Sequence, residues 1–332
     1  MISYFNSGHP VRYLVVLFIS AVLWLPSLLN AVYVAHPDNI LQGEMSDLAL
    51  NYTRYIIWFL FLITFMLGVV LNQILKEYDL VNVNNTTGLA LFVLFASAIP
   101  VFTSVNIFII VNIFLMMFLQ SVMKLSLVEE PVKEIFNASF YLGLAALFYP
   151  PLLFLFIIIW LAILMNRHMD LRNFLIVPAG IMLPFLFMFT WYFWNDTLGW
   201  QWQELIRQLT EIQKFNLFNS LTGFDFVIIV FLMAVLVFSI LKTVFGMGEA
   251  SITTRRNINL TLYLLTGMTV IIILYASNPL MLLILAPPSV IVIAHALYAV
   301  KNKWMNLLFL LLFLIIVIHQ YGTYFDVKSL LF

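Results

Sequence analysis

Residues 140–164 read FYLGLAALFYPPLLFLFIIIWLAIL, with no Asp, Glu, Lys, Arg or His among 25 residues. Such a run exceeds the roughly 20 apolar residues that carry a helix across the hydrocarbon core of a bilayer. Pro150 and Pro151 interrupt it near its middle. Proline lacks the N–H that an interior helical turn needs, and it disfavours helix in the residue before it. The stretch therefore reads as two marginal spans, 135–150 and 151–166, meeting in a tight turn at a membrane surface. A single kinked, re-entrant helix is the alternative.

Similar apolar runs extend outward in both directions, at 11–33, 55–75, 87–102, 104–123, 174–194, 223–244, 258–277, 279–298 and 303–320. Pro100 breaks 87–102 from 104–123 as Pro150 breaks the later pair, so the total is eleven spans, or nine if both pairs merge. The fold class is all-α: a polytopic transmembrane helix bundle forming a single integral membrane domain over 1–332. Composition agrees, with 64% hydrophobic and 9% charged residues against about 45–50% and 25% in soluble domains. A water-soluble fold is excluded, and membrane lipids are the first expected partners. The formal net charge is zero and the basic residues are scattered singly, which excludes the basic face that a nucleic-acid binder needs. Cysteine is absent, removing disulfides and thiolate chemistry. The first run, Val11 to Tyr33, is longer than the 7–15 residues of a signal-peptide core and reads as a retained helix.

Lys and Arg concentrate on the cytoplasmic side of short loops. With a cytoplasmic N-terminus and an external C-terminus, eleven of the fifteen basic residues fall inside: Arg12, Lys76, Lys124, Lys133, Arg167, Arg172, Lys242, Arg255, Arg256, Lys301 and Lys303. Arg54, Arg207, Lys214 and Lys328 fall outside. The expected outer turns near Thr103, Pro150 and Asn278 contain no basic residue.

Two outer segments are longer than a turn. The first, 34–54, reads VAHPDNILQGEMSDLALNYTR and carries Asp38, Glu44 and Asp47. The second, 195–223, contains LGWQWQELIRQLTEIQK, in which Leu198, Trp202, Leu205, Leu209 and Ile212 recur at helical spacing opposite Glu204, Arg207, Glu211 and Lys214. That pattern predicts an amphipathic helix lying along the outer membrane surface. Within the spans Asn106, Asn112 and Gln120 form a polar stripe, the kind that makes interhelical hydrogen bonds.

No charge is expected near the centre of any span, and Asp225 is placed at the outer end of its helix, within reach of water. Ion- or proton-coupled transport therefore lacks its usual signature. The five histidines are dispersed over both faces, so no metal site is expected from them. A carboxylate just outside the first helix, Asp38, could act as general base toward a hydroxyl acceptor or orient a divalent cation that does so; no other cofactor is indicated. The plain alternative is a turn residue after Pro37, with Glu44 and Asp47 solvating a short helix.

The acidic first outer loop opening with His36-Pro37-Asp38, the tight outer turns and the amphipathic helix after the seventh span resemble the GT-C glycosyltransferases, over about the first 225 residues. These enzymes use polyprenyl-phosphate-linked sugars at the outer membrane face. The resemblance implies a GT-C-like arrangement, with Asp38 as base or acceptor-orienting group and Glu44 or Asp47 as a second acid, because Asn39 stands where a second adjacent acid is often found. It also implies His36, Arg54, Arg207 and His319 as groups binding the substrate and its phosphate. Residues 140–164 together with RNFLIVPAGIMLPF at 172–185 also resemble a family of polytopic inner-membrane proteins of Gram-negative bacteria without established activity, which implies a bacterial inner membrane. An envelope glycosyltransferase is the reading carried forward. The alternatives are a non-catalytic component of an envelope assembly, secretion or motility machine, and a transporter or lipid flippase.

Overall fold

The computed structural model describes residues 11–31, 42–81, 85–212, 221–298 and 303–329; for 42–51, 249, 303–309 and 325–329 it describes the backbone alone. Among the described residues there are twelve α-helices. They are α1 (Val11–Leu29), α2 (Gln42–Glu77), α3 (Thr87–Ala96), α4 (Phe108–Lys124), α5 (Val132–Phe148), α6 (Phe156–Met165), α7 (Leu171–Trp194), α8 (Leu198–Thr210), α9 (Gly223–Gly246), α10 (Ile252–Tyr275), α11 (Ala286–Tyr298) and α12 (Lys303–Ser329). Eleven match the expected spans in order and α8 is the expected amphipathic helix. α2 starts at Gln42 and is kinked at Tyr52, so the later half of the 34–54 segment is helix.

Prolines decide the hairpin question. Ile99, Tyr149 and Asn278 are each extended, each precedes a proline, and each proline opens a short 3-10 segment: Pro100–Thr103, Pro150–Leu155 and Pro279–Leu285. Steric pressure from the proline ring on the preceding residue accounts for the extended conformation. Both doubtful pairs are thus separate helices. The consequence is short elements: α3 and α6 have ten residues each, about 15 Å of helix against a core of about 30 Å.

Among the described residues six helices are long and apolar enough to cross a membrane, and one of them is unlike the rest. Pro279–Tyr298, the third 3-10 segment with α11, is 94% buried, whereas the other five are 28–44% buried. It forms the axis of the bundle, packed on α3, α9 and α10. The surrounding helices turn large apolar side chains outward, including Leu14, Phe18, Phe59, Phe187, Trp194 and Phe245. A continuous apolar surface of that kind is soluble only in lipid; the chain is a multi-pass integral membrane protein.

Several hydroxyl groups inside the bundle are satisfied by their own helix, as an apolar surrounding favours. Thr64, Ser139, Ser239 and Thr261 each donate to the carbonyl four residues earlier. Of the expected stripe, Asn112 bridges helices, donating to Phe108 O at 3.0 Å and to Leu283 O of the axial segment at 3.1 Å. Gln120 reaches Glu77 on α2 at 3.4 Å. Asn106 instead bonds within its own turn, to Phe102 O and Ser104 O, because the break at Ser104 leaves those carbonyls open.

The two ends of the bundle differ in chemistry. At one end lie Arg12, Lys76, Lys124, Lys133, Arg167, Arg172, Lys242, Arg255 and Arg256. The loops there are tied together by Lys76 Nζ to Tyr13 Oη (3.4 Å), Tyr78 Oη to Gln120 O (3.1 Å), Lys242 Nζ to Ala296 O (2.9 Å), His295 Nδ1 with Leu80 O (2.8 Å) and Lys124 with Glu134 (2.9 Å). This is the basic end. The other, the proline end, gathers the three 3-10 segments, α8, the end of α1, the start of α9 and the later part of α12.

Candidate functional site at the proline end

Thr222 and Asp225 open α9 with a reciprocal cap. Asp225 N donates to Thr222 Oγ1 at 3.2 Å, while Thr222 N and Oγ1 donate to Asp225 Oδ2 at 2.9 and 2.7 Å. This satisfies backbone donors that a helix start leaves free. It uses one carboxylate oxygen and leaves Oδ1, which lies 2.6 Å from His319 Nε2 on α12. Both residues are buried, at 4% and 6% exposure. Phe224 stacks on the imidazole with centroids 5.0 Å apart. The expectation that water reaches Asp225 is therefore overturned, because α12 lies across the start of α9 and covers it.

One residue further along α12 the chemistry becomes uncharged. Gln320 Nε2 donates to Ser97 O at 2.9 Å, and Ser97 Oγ accepts from Trp24 Nε1 at 3.1 Å. Tyr321 Oη donates to Val22 O at 3.1 Å. These bonds fasten α12 to α1 and to the end of α3. Between the same elements an open cleft of about 170 Å³ is lined by Pro26, Ser27, Asn30, Pro100, Ser104, Gln320, Thr323 and Tyr324. Its wall is braced by Ser27 Oγ and Thr103 Oγ1, 2.7 Å apart. Gln320 is 1% exposed, and its Oε1 has no hydrogen-bond partner.

The residues expected to bind substrate are distributed as follows. His36 and Asp38 lie outside the described residues, and Glu44 and Asp47 lie on the first turns of α2, where only the backbone is described. Asn30, the residue after α1, lines the cleft. Arg54 is exposed on α2 just beyond the Tyr52 kink. Arg207 is held on its own helix, Nε donating to Glu204 Oε2 at 2.8 Å and Nη1 to Glu211 Oε2 at 3.2 Å. That guanidinium holds the Glu204 carboxyl below the usual carboxylate range, and Glu204 in turn raises the Arg207 pKa. His319 is held by Asp225. None of Arg54, Arg207 and His319 lines the cleft.

α8 is docked by Tyr275 Oη, which donates to Leu209 O at 2.8 Å, and by the edge of Trp202 against Phe189 at 5.5 Å. Its buried face consists of Gln201, Leu205 and Gln208, so the helix is rolled away from a purely apolar contact and leaves Trp200 and Ile206 exposed for the membrane surface. Sequence reasoning missed Asp225 with His319, and Gln320. The available signal was topological: residues 225 and 319 both fall at the outer ends of expected spans, although 94 residues separate them.

A family described as a family of unknown function (DUF6427) matches residues 45–329. No curated protein and no solved structure matches the chain.

Proposed function

Because the chain belongs to the DUF6427 family, for which no function is known, its role has to be read from its own residues, and we propose that it is a membrane-embedded glycosyltransferase using a polyprenyl-phosphate-linked sugar at the outer face of a bacterial inner membrane. The observation that carries this reading is the cleft at the proline end, lined by prolines and by hydroxyl and amide side chains, beside the end of α1, the helix that precedes Asp38 in the chain. Nine basic side chains at the opposite end support an orientation with that end in the cytoplasm and the cleft outside.

In this mechanism an acceptor hydroxyl attacks the anomeric carbon of the donor sugar. Its proton passes to the Asp38 carboxylate as the new C–O bond forms, and the anomeric C–O bond to phosphate breaks with its electron pair leaving on the polyprenyl phosphate. General-base assistance of this kind contributes about 10²–10⁴-fold. Arg54 is the exposed cation for the departing phosphate; Arg207 and His319 would first have to exchange their carboxylate partners. A divalent cation would join this scheme through Asp38, Glu44 and Asp47, since hard cations take oxygen ligands; both oxygens of Asp225 are engaged. A rocking transporter is less well supported. The cavity beside the axial segment, between Phe95, Phe102, Leu282 and Ser289, admits about 20 Å³, room for little more than one water.

The test is mass spectrometry of envelope glycans and lipid-linked sugars from cells lacking the gene, complemented with wild type or with Asp38→Asn. The expected result is loss of one sugar unit, restored by wild type and not by Asp38→Asn at equal expression. An unchanged glycan and lipid profile in the deletion would overturn the assignment in favour of an assembly component.

A further inference from the structure

We propose that the groove between α5 and α7, in the proline-end half of the bundle, is a lipid site that takes one acyl chain of a membrane phospholipid. The site is separate from the cleft beside α12 and does not rest on the transferase reading.

The groove follows from how the two helices meet. Gly143 and Gly180 let the backbones touch, since a Cβ on either would lie within 2.8 Å of the facing helix. Toward the proline end the facing side chains become large. Leu144 and Leu147 on α5 and Pro184, Phe187, Met188 and Trp191 on α7 stand around a groove of about 270 Å³. All of its lining is apolar or aromatic and none of it is charged. Phe187 and Trp191 are 66% and 58% exposed, so the groove opens sideways, toward the bilayer, and its walls can be reached. Trp194 and Trp200, exposed just beyond it, set its mouth at head-group level.

The dimensions choose the occupant. From Pro184 to Tyr192 the groove follows α7 for about 12 Å, so its volume amounts to roughly 20–25 Å² in section. A helix of a second copy or of another protein, about 10–12 Å across, does not enter; a single hydrocarbon chain does. Lipid tails are as apolar as leucine, so no hydrophobic force drives them in. Dispersion does, because wall atoms facing an empty groove lack neighbours, and a chain between two helices is contacted on both sides. The mouth selects the head group. Asp196, exposed five residues beyond Trp191, repels an anionic head, and Arg207, the nearest basic residue along the chain, is held by Glu204 and Glu211. A phospholipid with an ammonium in its head group is the matching source, and a polyprenyl phosphate is not.

The experiment uses the full-length protein in phosphatidylglycerol nanodiscs that contain a small fraction of phosphatidylethanolamine with a diazirine on its acyl chain. After irradiation, adducts are mapped by peptide mass spectrometry. Phe187 is compared with Phe59 and Val230, exposed at 64% and 49% and equally deep, each seven residues in from the proline end of its span. Labelling of Phe187 about threefold above both is expected, as a handful of added dispersion contacts supports. Leu144→Trp fills the groove and should bring Phe187 down to the level of Phe59. Leu147→Phe, a smaller filling that keeps the test open if the larger one unfolds the protein, should roughly halve the excess. Added unlabelled phosphatidylethanolamine should lower the excess, and the same amount of polyprenyl phosphate should not. Equal labelling of the three residues, an excess that survives both filling variants, or displacement by polyprenyl phosphate and not by phosphatidylethanolamine overturns the proposal.

Discussion

His319 Nε2 lies 2.6 Å from Asp225 Oδ1, joining α12 to the first turn of α9 between two side chains that are both buried. The same carboxylate caps α9 through Thr222, so one residue terminates a helix and fastens another.

Removing either partner strands a buried polar group. His319→Ala should destabilise the protein by about 3 kcal/mol, the lower end for breaking a buried pair. Asp225→Ala should cost about 1 kcal/mol more, because the cap is lost as well. The double variant should fall short of the sum, since the two residues act on one contact. Reversible unfolding in detergent, with exposed Thr190→Ala as the control, measures all three. A His319→Ala midpoint equal to that control would show that the pair does not hold the helices together.

The α5–α7 contact depends on two glycines facing each other's helices. A Cβ on Gly180 would sit 2.6 Å from Ser139 Cβ and 3.1 Å from Phe136 O, and one on Gly143 would sit 2.8 Å from Ile181 O. Backbone and Cβ atoms cannot swing aside, so the helices must separate. Overpacking of this kind costs about 1–3 kcal/mol, more than the roughly 1 kcal/mol that alanine gains in helix propensity. Gly143→Ala and Gly180→Ala should therefore both lower the unfolding midpoint. Gly199→Ala, with nothing within 4 Å, should leave it level or slightly raised.

These contacts mark where sequence reading stops. The spans, the amphipathic helix and the proline breaks follow from local physics: run length, helical spacing and the steric effect of Pro100, Pro150 and Pro279 on the residue before each. The close α5–α7 approach uses Ser139 and Gly143 against Gly180 and Pro184, but small residues occur in many spans and spacing alone does not say which meet. Asp225 reads as a solvated cap until α12 is placed across it. Gln320 looks like any polar residue near a membrane surface, and only the position of Ser97 shows that its amide is fixed and buried. The carboxylates that the loop pattern brought forward, Asp38, Glu44 and Asp47, are the part of the site for which the structure adds no side-chain geometry.

On α8, Glu204 titrates below the ordinary carboxylate range because Arg207 hydrogen-bonds to it. The sign follows: a carboxyl whose pKa is lowered on folding adds stability that is fully present above its unfolded pKa and is lost as pH falls through the lowered folded value. The gain is small, because Arg207 is 44% exposed and such pairs contribute about 0.3–0.5 kcal/mol. At pH 7, Glu204→Gln should speed amide exchange across 200–210 about twofold, and the difference from wild type should shrink in molar salt. Equal exchange in the two proteins at low salt would remove this pair from the account of how α8 is held.

Orientation can be read directly, because the chain contains no cysteine to confuse a label. Asp196 is exposed between α7 and α8 at the proline end, and Met169 is exposed between α6 and α7 at the basic end. If the basic end faces the cytoplasm, Asp196→Cys should react with a membrane-impermeant maleimide in intact spheroplasts. Met169→Cys should react only after permeabilisation. The reverse pattern would put the cleft and the Asp38 segment in the cytoplasm. It would end the proposal of transfer at the outer face.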